Sequence, residues 1–284
     1  GGMACLQAKR AQEAAWGIPT QLLDAGDVKR LIPKITPEIR GATFSKEEGF
    51  CDTAVLAAAV RPGLERAGVQ VRAGAAVVGV TAGEAFRLRL AGGATLEAPV
   101  LVGCLGAFTD DLLGMLGLPS GLVRLPLQVH EMDAPARVLP VFTRYVGGRL
   151  SLKQFPSGRI LVGGGWPAKS RSDDPMAVVL SRDSRRRNIA LARRVVPALA
   201  GAAYTGWRGG WAAWTRDGLP VIGGHTSVPR FYGAAGGNGF TLAPLYAEIL
   251  ASLVQGQRPS IELAAFSPER FSAEPTAGAL PPDG

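Results

Sequence analysis

Apolar residues recur along the chain with two periods, and the switch between periods marks the elements. A helical period, with cap residues in place, predicts helices at Ala8–Trp16, Asp24–Leu31, Thr53–Ala67, Asp110–Leu116, Ser184–Leu199 and Leu242–Gln255. Asp24 and Asp52 stand where N-caps are wanted, and Gly17, Gly68 and Gly256 close three of these helices. Short β-branched or alternating runs predict strands at 2–7, Gly41–Ser45, Val69–Arg72, Ala75–Thr81, Phe86–Leu90 and Thr95–Val102, with a hairpin turn at Gly92–Gly93. Further strands are predicted at Leu122–Met132, Val141–Tyr145, Leu150–Gln154, Arg159–Val162, Pro220–Ile222 and Arg230–Ala234. Strands and helices therefore alternate in two blocks with a strand-rich block between them. A chain that leaves one domain, builds another and returns gives this order.

Composition narrows the picture. Of 284 residues 47% are hydrophobic and 19% charged, enough to bury a large core and too few charges for disorder, except in the Pro- and Gly-rich tail 272–284, which reads as disordered. The formal charge of +8 is scattered, and its densest cluster, Arg182–Arg187, lies at helical spacing, so it reads as a solvated helix face and not a nucleic-acid site. Cys5, Cys51 and Cys104 form neither a disulfide framework nor a zinc motif, which fits a reducing cytoplasm. No apolar run reaches the 18 residues that a membrane helix requires. His130 and His225, the two histidines, have no carboxylate spacing for a metal site, and no GxSxG elbow points to a hydrolase.

The segment with the clearest chemistry is Gly233–Pro244, where a short strand runs into Gly236, Gly237 and Gly239 and then into a helix. Glycines there let a backbone approach a planar or anionic ligand closely, and the free N–H groups at the helix start favour negative charge. A ligand-free strand–helix turn would use the same residues.

Arg216-Asp-Gly-Leu-Pro-Val-Ile-Gly, followed by Gly236-Gly-Asn-Gly-Phe-Thr-Leu-Ala-Pro, resembles the C-terminal signature of the D-amino-acid-oxidase-like flavoproteins. The closing Pro259–Phe271, the turn Glu48-Gly-Phe-Cys-Asp-Thr and the strand and turn Val100–Phe108 resemble the same family, nearest to sarcosine oxidase β subunits and glycine oxidase. The resemblance implies an α/β protein: a Rossmann-like three-layer FAD domain from 49–112 and 206–257, and an α+β substrate domain with an antiparallel sheet from 1–48 and 113–205. It implies FAD as cofactor, with Gly236, Gly237, Asn238, Gly239, Phe240 and Thr241 at the flavin ring. Gly106 and Ala107 would line the cofactor channel, and the Val77 backbone would meet the adenine half. Gln154, Trp211 and Trp214 are the substrate-side candidates, the two tryptophans serving equally well as core. The implied reaction is oxidation of a C–N bond in a small amine or N-substituted amino acid, with hydride passing to flavin N5; no side chain is needed as an obligatory base. Other subunits of a hetero-oligomeric oxidase are candidate partners.

Two departures from the family pattern keep other readings open. The family opens with a strand and a GxGxxG loop that hold the cofactor diphosphate, about 80 to 100 residues that the resemblance places upstream of Gly1. Gly163-Gly-Gly-Trp-Pro-Ala168 fits that pattern by letter, yet Pro167 and the charged stretch that follows do not predict a phosphate-binding helix. The position where amino-acid oxidases carry a carboxylate-gripping arginine falls at Ala212. A non-catalytic subunit of this fold that binds no flavin, and a 2-hydroxy-acid oxidase on the same fold, are the competing readings.

Overall fold

Asp24 and Asp52 cap helices as their positions predict. The Asp24 carboxylate accepts from the Asp27 N–H at 2.8 Å, and that of Asp52 accepts from the Ala54 N–H at 3.0 Å, at the starts of Ala25–Leu31 and Thr53–Arg66. The computed structural model describes residues 2–134, 136–174 and 176–272. They form two compact units, one within 1–69 and 126–210 and one within 70–125 and 211–272. Residues 49–69, which the family pattern gives to the flavin part, group with the first unit.

The sheet of the first unit pairs the strands Leu122–Asp133, Arg159–Pro167, Leu150–Gln154 and Thr143–Tyr145 antiparallel in that order, with Ala203–Thr215 flanking Leu122–Asp133; residues 122–125 and 211–215 of these strands are counted with the second unit. Leu150, Leu152 and Gln154 alternate inward, so one face of the sheet meets the helix Arg182–Val195 and the helix Ala25–Leu31. Val28, Ile32, Met132, Leu152, Ile160 and Val195 are core members there. The register of Arg159–Pro167 slips between Val162 and Trp166, at the three glycines. Gly164 has φ +122°, and a Cβ on it would stand 2.4 Å from the Arg149 backbone. The Gly163–Ala168 motif is thus spent on a β-bulge and not on a phosphate loop.

In the second unit Val221–His225, Val228–Ala235 and Leu101–Gly103 form a three-stranded sheet, antiparallel across the first pair and parallel across the second. Phe231 faces a cluster with Phe86, Leu112 and Leu113, whereas Ala234 and Ile222 face Tyr246, Ile249 and Leu250 of the helix Gly239–Val254. The sheet is therefore the middle of three layers, between that helix and an antiparallel ribbon of Val77–Thr81, Phe86–Leu90 and Thr95–Ala98.

Three sequence expectations fail and one long strand was not expected. Residues 2–7 are not a strand but the start of the helix Gly2–Ala15, a run rich in good helix formers with Lys9 and Glu13 paired at i,i+4. Val69–Arg72 has no regular structure; it follows the Gly68 turn directly and joins no ladder. Thr95–Val102 is two strands, broken at Pro99, whose missing N–H cannot serve a ladder. The long strand Ala203–Thr215 went unpredicted, because five small Ala or Gly positions from 206 to 213 blur its alternation. The expected tail falls, from 273 on, outside the described residues.

Candidate functional site

The parallel pairing of Tyr232 with Val102 and of Gly233 with Gly103 fixes the site. Two parallel neighbours end at the same edge, so the loops that follow them, 104–108 and 236–241, leave the sheet side by side. The carboxyl edge of parallel strands is where α/β sheets hold ligands. The sequence candidates Gly106, Ala107 and Gly236 to Thr241 are thereby brought together. Val77 lies elsewhere, in the antiparallel ribbon opposite Leu90.

Each loop is shaped by a residue in the left-handed region. Gly106 has φ +56° with open space where a side chain would stand, and opens the short 3-10 turn Gly106–Phe108 that buries Ala107. Gly236 is buried at φ +86°, and a Cβ there would lie 2.9 Å from the Thr215 methyl group. Asn238 follows at φ 52°, a conformation that asparagine tolerates better than most residues, and its side chain does not cap the helix behind it. The first helical bond runs from Leu242 N–H to Asn238 C=O, so the N–H groups of Gly239, Phe240 and Thr241 have no partner within the helix. Phe240 is exposed beside them.

The floor of this loop is the turn after Thr215. The Thr215 hydroxyl donates to the Leu219 carbonyl at 2.5 Å, and the Gly218 carbonyl and the Trp214 ring lie 3.8 and 4.0 Å from the point a Gly237 Cβ would occupy. Arg270 fastens the turn from below. Its guanidinium donates to both Asp217 carboxylate oxygens, at 2.6 and 3.1 Å, to the Leu219 carbonyl at 2.9 Å and to the Ser267 carbonyl at 3.0 Å. That contact holds the Asp217 carboxyl below the usual carboxylate range. Sequence reading found both partners' motifs but not their pairing, which spans 53 positions. Arg270→Ala is expected to lower stability by about 2 kcal/mol, since four charge-assisted bonds are lost at a largely buried guanidinium. Arg270→Lys recovers only part of this, because an ammonium cannot repeat the fork. Urea unfolding of the three proteins checks the order.

Behind the two loops a cavity of about 20 Å³ is lined by Thr109, Gly121, Gly233, Ala234 and Phe271. It has room for one water and none for a ring system, and the buried Thr109 hydroxyl has no partner among the described residues. A planar ligand would therefore lie over the loops. What fits a flavin ring is Gly106, left-handed with open space where a side chain would stand, and the three helix-start N–H groups without a partner in the helix; Gly236 instead lets its loop close onto Thr215.

On the substrate side, Trp211 and Trp214 are half-buried in the strand that leads into the Asp217 turn. Gln154 is 5% exposed, and its amide is fully used. The oxygen accepts from Val138 and Leu139 N–H at 2.8 and 3.0 Å, and the nitrogen donates to the Ala136 and Gly158 carbonyls at 3.0 and 3.5 Å. Such a side chain anchors a loop and has no group left for substrate.

A family model described as FAD dependent oxidoreductase matches residues 2–253. Glycine oxidase of Geobacillus kaustophilus is 24% identical over 254 residues, 88% of this chain and 66% of that protein. An opine oxidase subunit of Rhizobium meliloti is 24% identical over 251 residues, 86% of this chain and 62% of that protein. The crystal structure of the Geobacillus glycine oxidase superposes with a TM-score of 0.80 at 22% identity, covering 93% of this chain and 70% of that one. The chain spans between 37% and 66% of the length of the curated relatives it matches. The parallel-strand edge with its two glycine loops and the match over residues 2–253 lead to one assignment: the chain belongs to the FAD-dependent oxidoreductase family of D-amino-acid-oxidase type.

Proposed function

We propose that this chain forms the flavin-ring and substrate side of an enzyme that oxidises the C–N bond of a small amine or N-substituted amino acid. The observation that carries the reading is the pair of loops at one sheet edge, the open Gly106 turn beside the Gly236–Thr241 loop that Thr215 holds in place. Bound FAD supplies the hydride acceptor. The chain supplies position. The N–H groups of Gly239, Phe240 and Thr241 favour negative charge at the ring edge, as helix starts do. Trp211 and Trp214 wall the substrate side, and their bulk excludes water from it. The Val77 backbone, at the slipped register before Gly79, is the proposed contact of the adenine half. The role proposed for Gln154 narrows to holding residues 136–139.

The relatives support the substrate class, since those named act on glycine and on opines. One relative is named as part of a multi-chain enzyme, which supports a hetero-oligomeric setting. No helix among the described residues is long and apolar enough to cross a membrane, and with three free cysteines the cytoplasm is the proposed compartment.

The test is titration with FAD, followed by anaerobic bleaching with sarcosine, glycine, D-alanine, an opine and lactate. Quenching of flavin fluorescence, then bleaching by an amino-acid substrate and not by lactate, is the expected result. Failure to take up flavin favours the non-catalytic reading, and bleaching by lactate alone favours the hydroxy-acid reading; either overturns the proposal.

A further inference from the structure

The helix Arg182–Val195 is charged out of proportion to its length. It holds six arginines and one aspartate, a net +5 of the chain's formal +8. Its buried stripe is Ser184, Asn188, Ala192 and Val195, at helical spacing. Arg182, Arg185, Arg186, Ile189 and Arg193 project from other faces and, with Tyr204 of the neighbouring strand, line an open groove of about 840 Å³. The guanidinium of Arg185 lies 5.4 Å from the centre of the Tyr204 ring, which holds it in the groove floor. Asp183 also lines the groove, but its charge is already engaged by Arg186 at 2.8 Å and by Arg187 at 3.7 Å. Arg182 and Arg185 have no carboxylate partner among the described residues.

We infer that this groove docks an acidic, extended segment of a protein partner, with carboxylates pairing along the arginine row. The dimensions argue for a segment over a single anion. Arg182 and Arg193 are eleven positions apart, about 16 Å along a helix axis, so one phosphate cannot reach both ends. A row of carboxylates can, and the guanidinium groups of Arg182 and Arg185, which have no carboxylate partner among the described residues, each offer a planar fork that matches one. Single-stranded nucleic acid, the other polyanion of this width, takes much of its affinity from stacked aromatics, and the groove holds one, Tyr204. The inference does not depend on the flavin reading, because none of these residues belongs to the glycine loops.

The experiment is fluorescence anisotropy with a labelled peptide of about a dozen glutamates, repeated with a single-stranded oligonucleotide of equal charge. The peptide is expected to bind, and its affinity to fall at least about tenfold between roughly 50 and 300 mM salt, because exposed ion pairs are screened. Arg182→Ser/Arg185→Ser, and separately the single exposed reversal Arg182→Glu, are each expected to weaken binding about tenfold or more. Arg258→Ser, at an exposed arginine paired with Glu262 in the other unit, is expected to leave it unchanged. No peptide binding, equal losses at Arg258, or tighter binding of the oligonucleotide than of the peptide would overturn the proposal. FAD titration of the same variants reads the flavin site separately.

Discussion

Gly236→Ala is expected to weaken FAD binding at least about 100-fold and to lower stability by about 2–6 kcal/mol. Two costs add. At φ +86° an alanine is held where L side chains are strained, about 1–3 kcal/mol. Its Cβ also meets the Thr215 methyl at 2.9 Å, and relieving such overpacking costs typically about 1–3 kcal/mol. If the loop instead moves to escape both, the geometry that receives the ring is lost, and about 3 kcal/mol of reorganisation is more than 100-fold in affinity. The two costs separate in a double-mutant cycle. Thr215→Ser removes the methyl group and keeps the hydroxyl that bonds the Leu219 carbonyl. Gly236→Ala/Thr215→Ser should therefore regain the packing share and none of the backbone share. Gly114→Ala, in the exposed part of the helix Thr109–Met115 with nothing within 4 Å, is the matched control and should stabilise slightly. Equal FAD affinity in Gly236→Ala and the parent would sink the assignment of the loop.

This loop shows what a single sequence displays and what it hides. Local chemistry was legible: the Asp24 and Asp52 caps, the alternation of Leu150–Gln154, and the glycine run at 236–239 each act over a few residues, and each stands where the pattern places it. The interleaving of the chain was legible as well, since two βα blocks flank a strand-rich one. What depends on distant partners was not. Nothing at Gly236 names Thr215 as the neighbour that forbids a side chain, and nothing at Asp217 names Arg270. Gln154 illustrates the same limit. A glutamine on an inward face suits a substrate pocket and a loop anchor equally, and only the positions of residues 136–139 and Gly158 decide. The Gly163–Ala168 run fails for a related reason: its glycines meet a backbone, but the backbone is that of Arg149 and not a ligand.

Acidification from pH 7.5 to pH 5 is expected to cost the fold about 2 kcal/mol through His130 alone. This side chain is fully buried on the strand Leu122–Asp133, and burial, reinforced by the positive charge of Arg185, lowers its pKa from 6.5 to about 4. Its hydrogen bonding agrees. The Gln128 amide accepts from Ser181 N–H at 2.8 Å, so its nitrogen is the donor to the Ser181 carbonyl at 3.1 Å and to His130 Nε2 at 3.2 Å. Nε2 is then an acceptor, and the ring is the neutral Nδ1–H tautomer. Adding a proton at Nε2 would set two donors against each other in a buried place. Between pH 6.5 and 4 the unfolded chain therefore binds a proton that the folded chain refuses, and stability falls as pH falls through that window. Asp217 and Asp52, both held low by arginine or backbone donors, act in the same direction, but only below the ordinary carboxylate range. Urea unfolding at the two pH values separates the contributions. His130→Gln keeps an acceptor for Gln128 and cannot titrate, so its stability should change by well under 1 kcal/mol over this interval. A parent protein as indifferent to this interval as the variant would mean that His130 is protonated in the fold, and with it that the Gln128–Ser181 arrangement at the start of the arginine helix is not the one described.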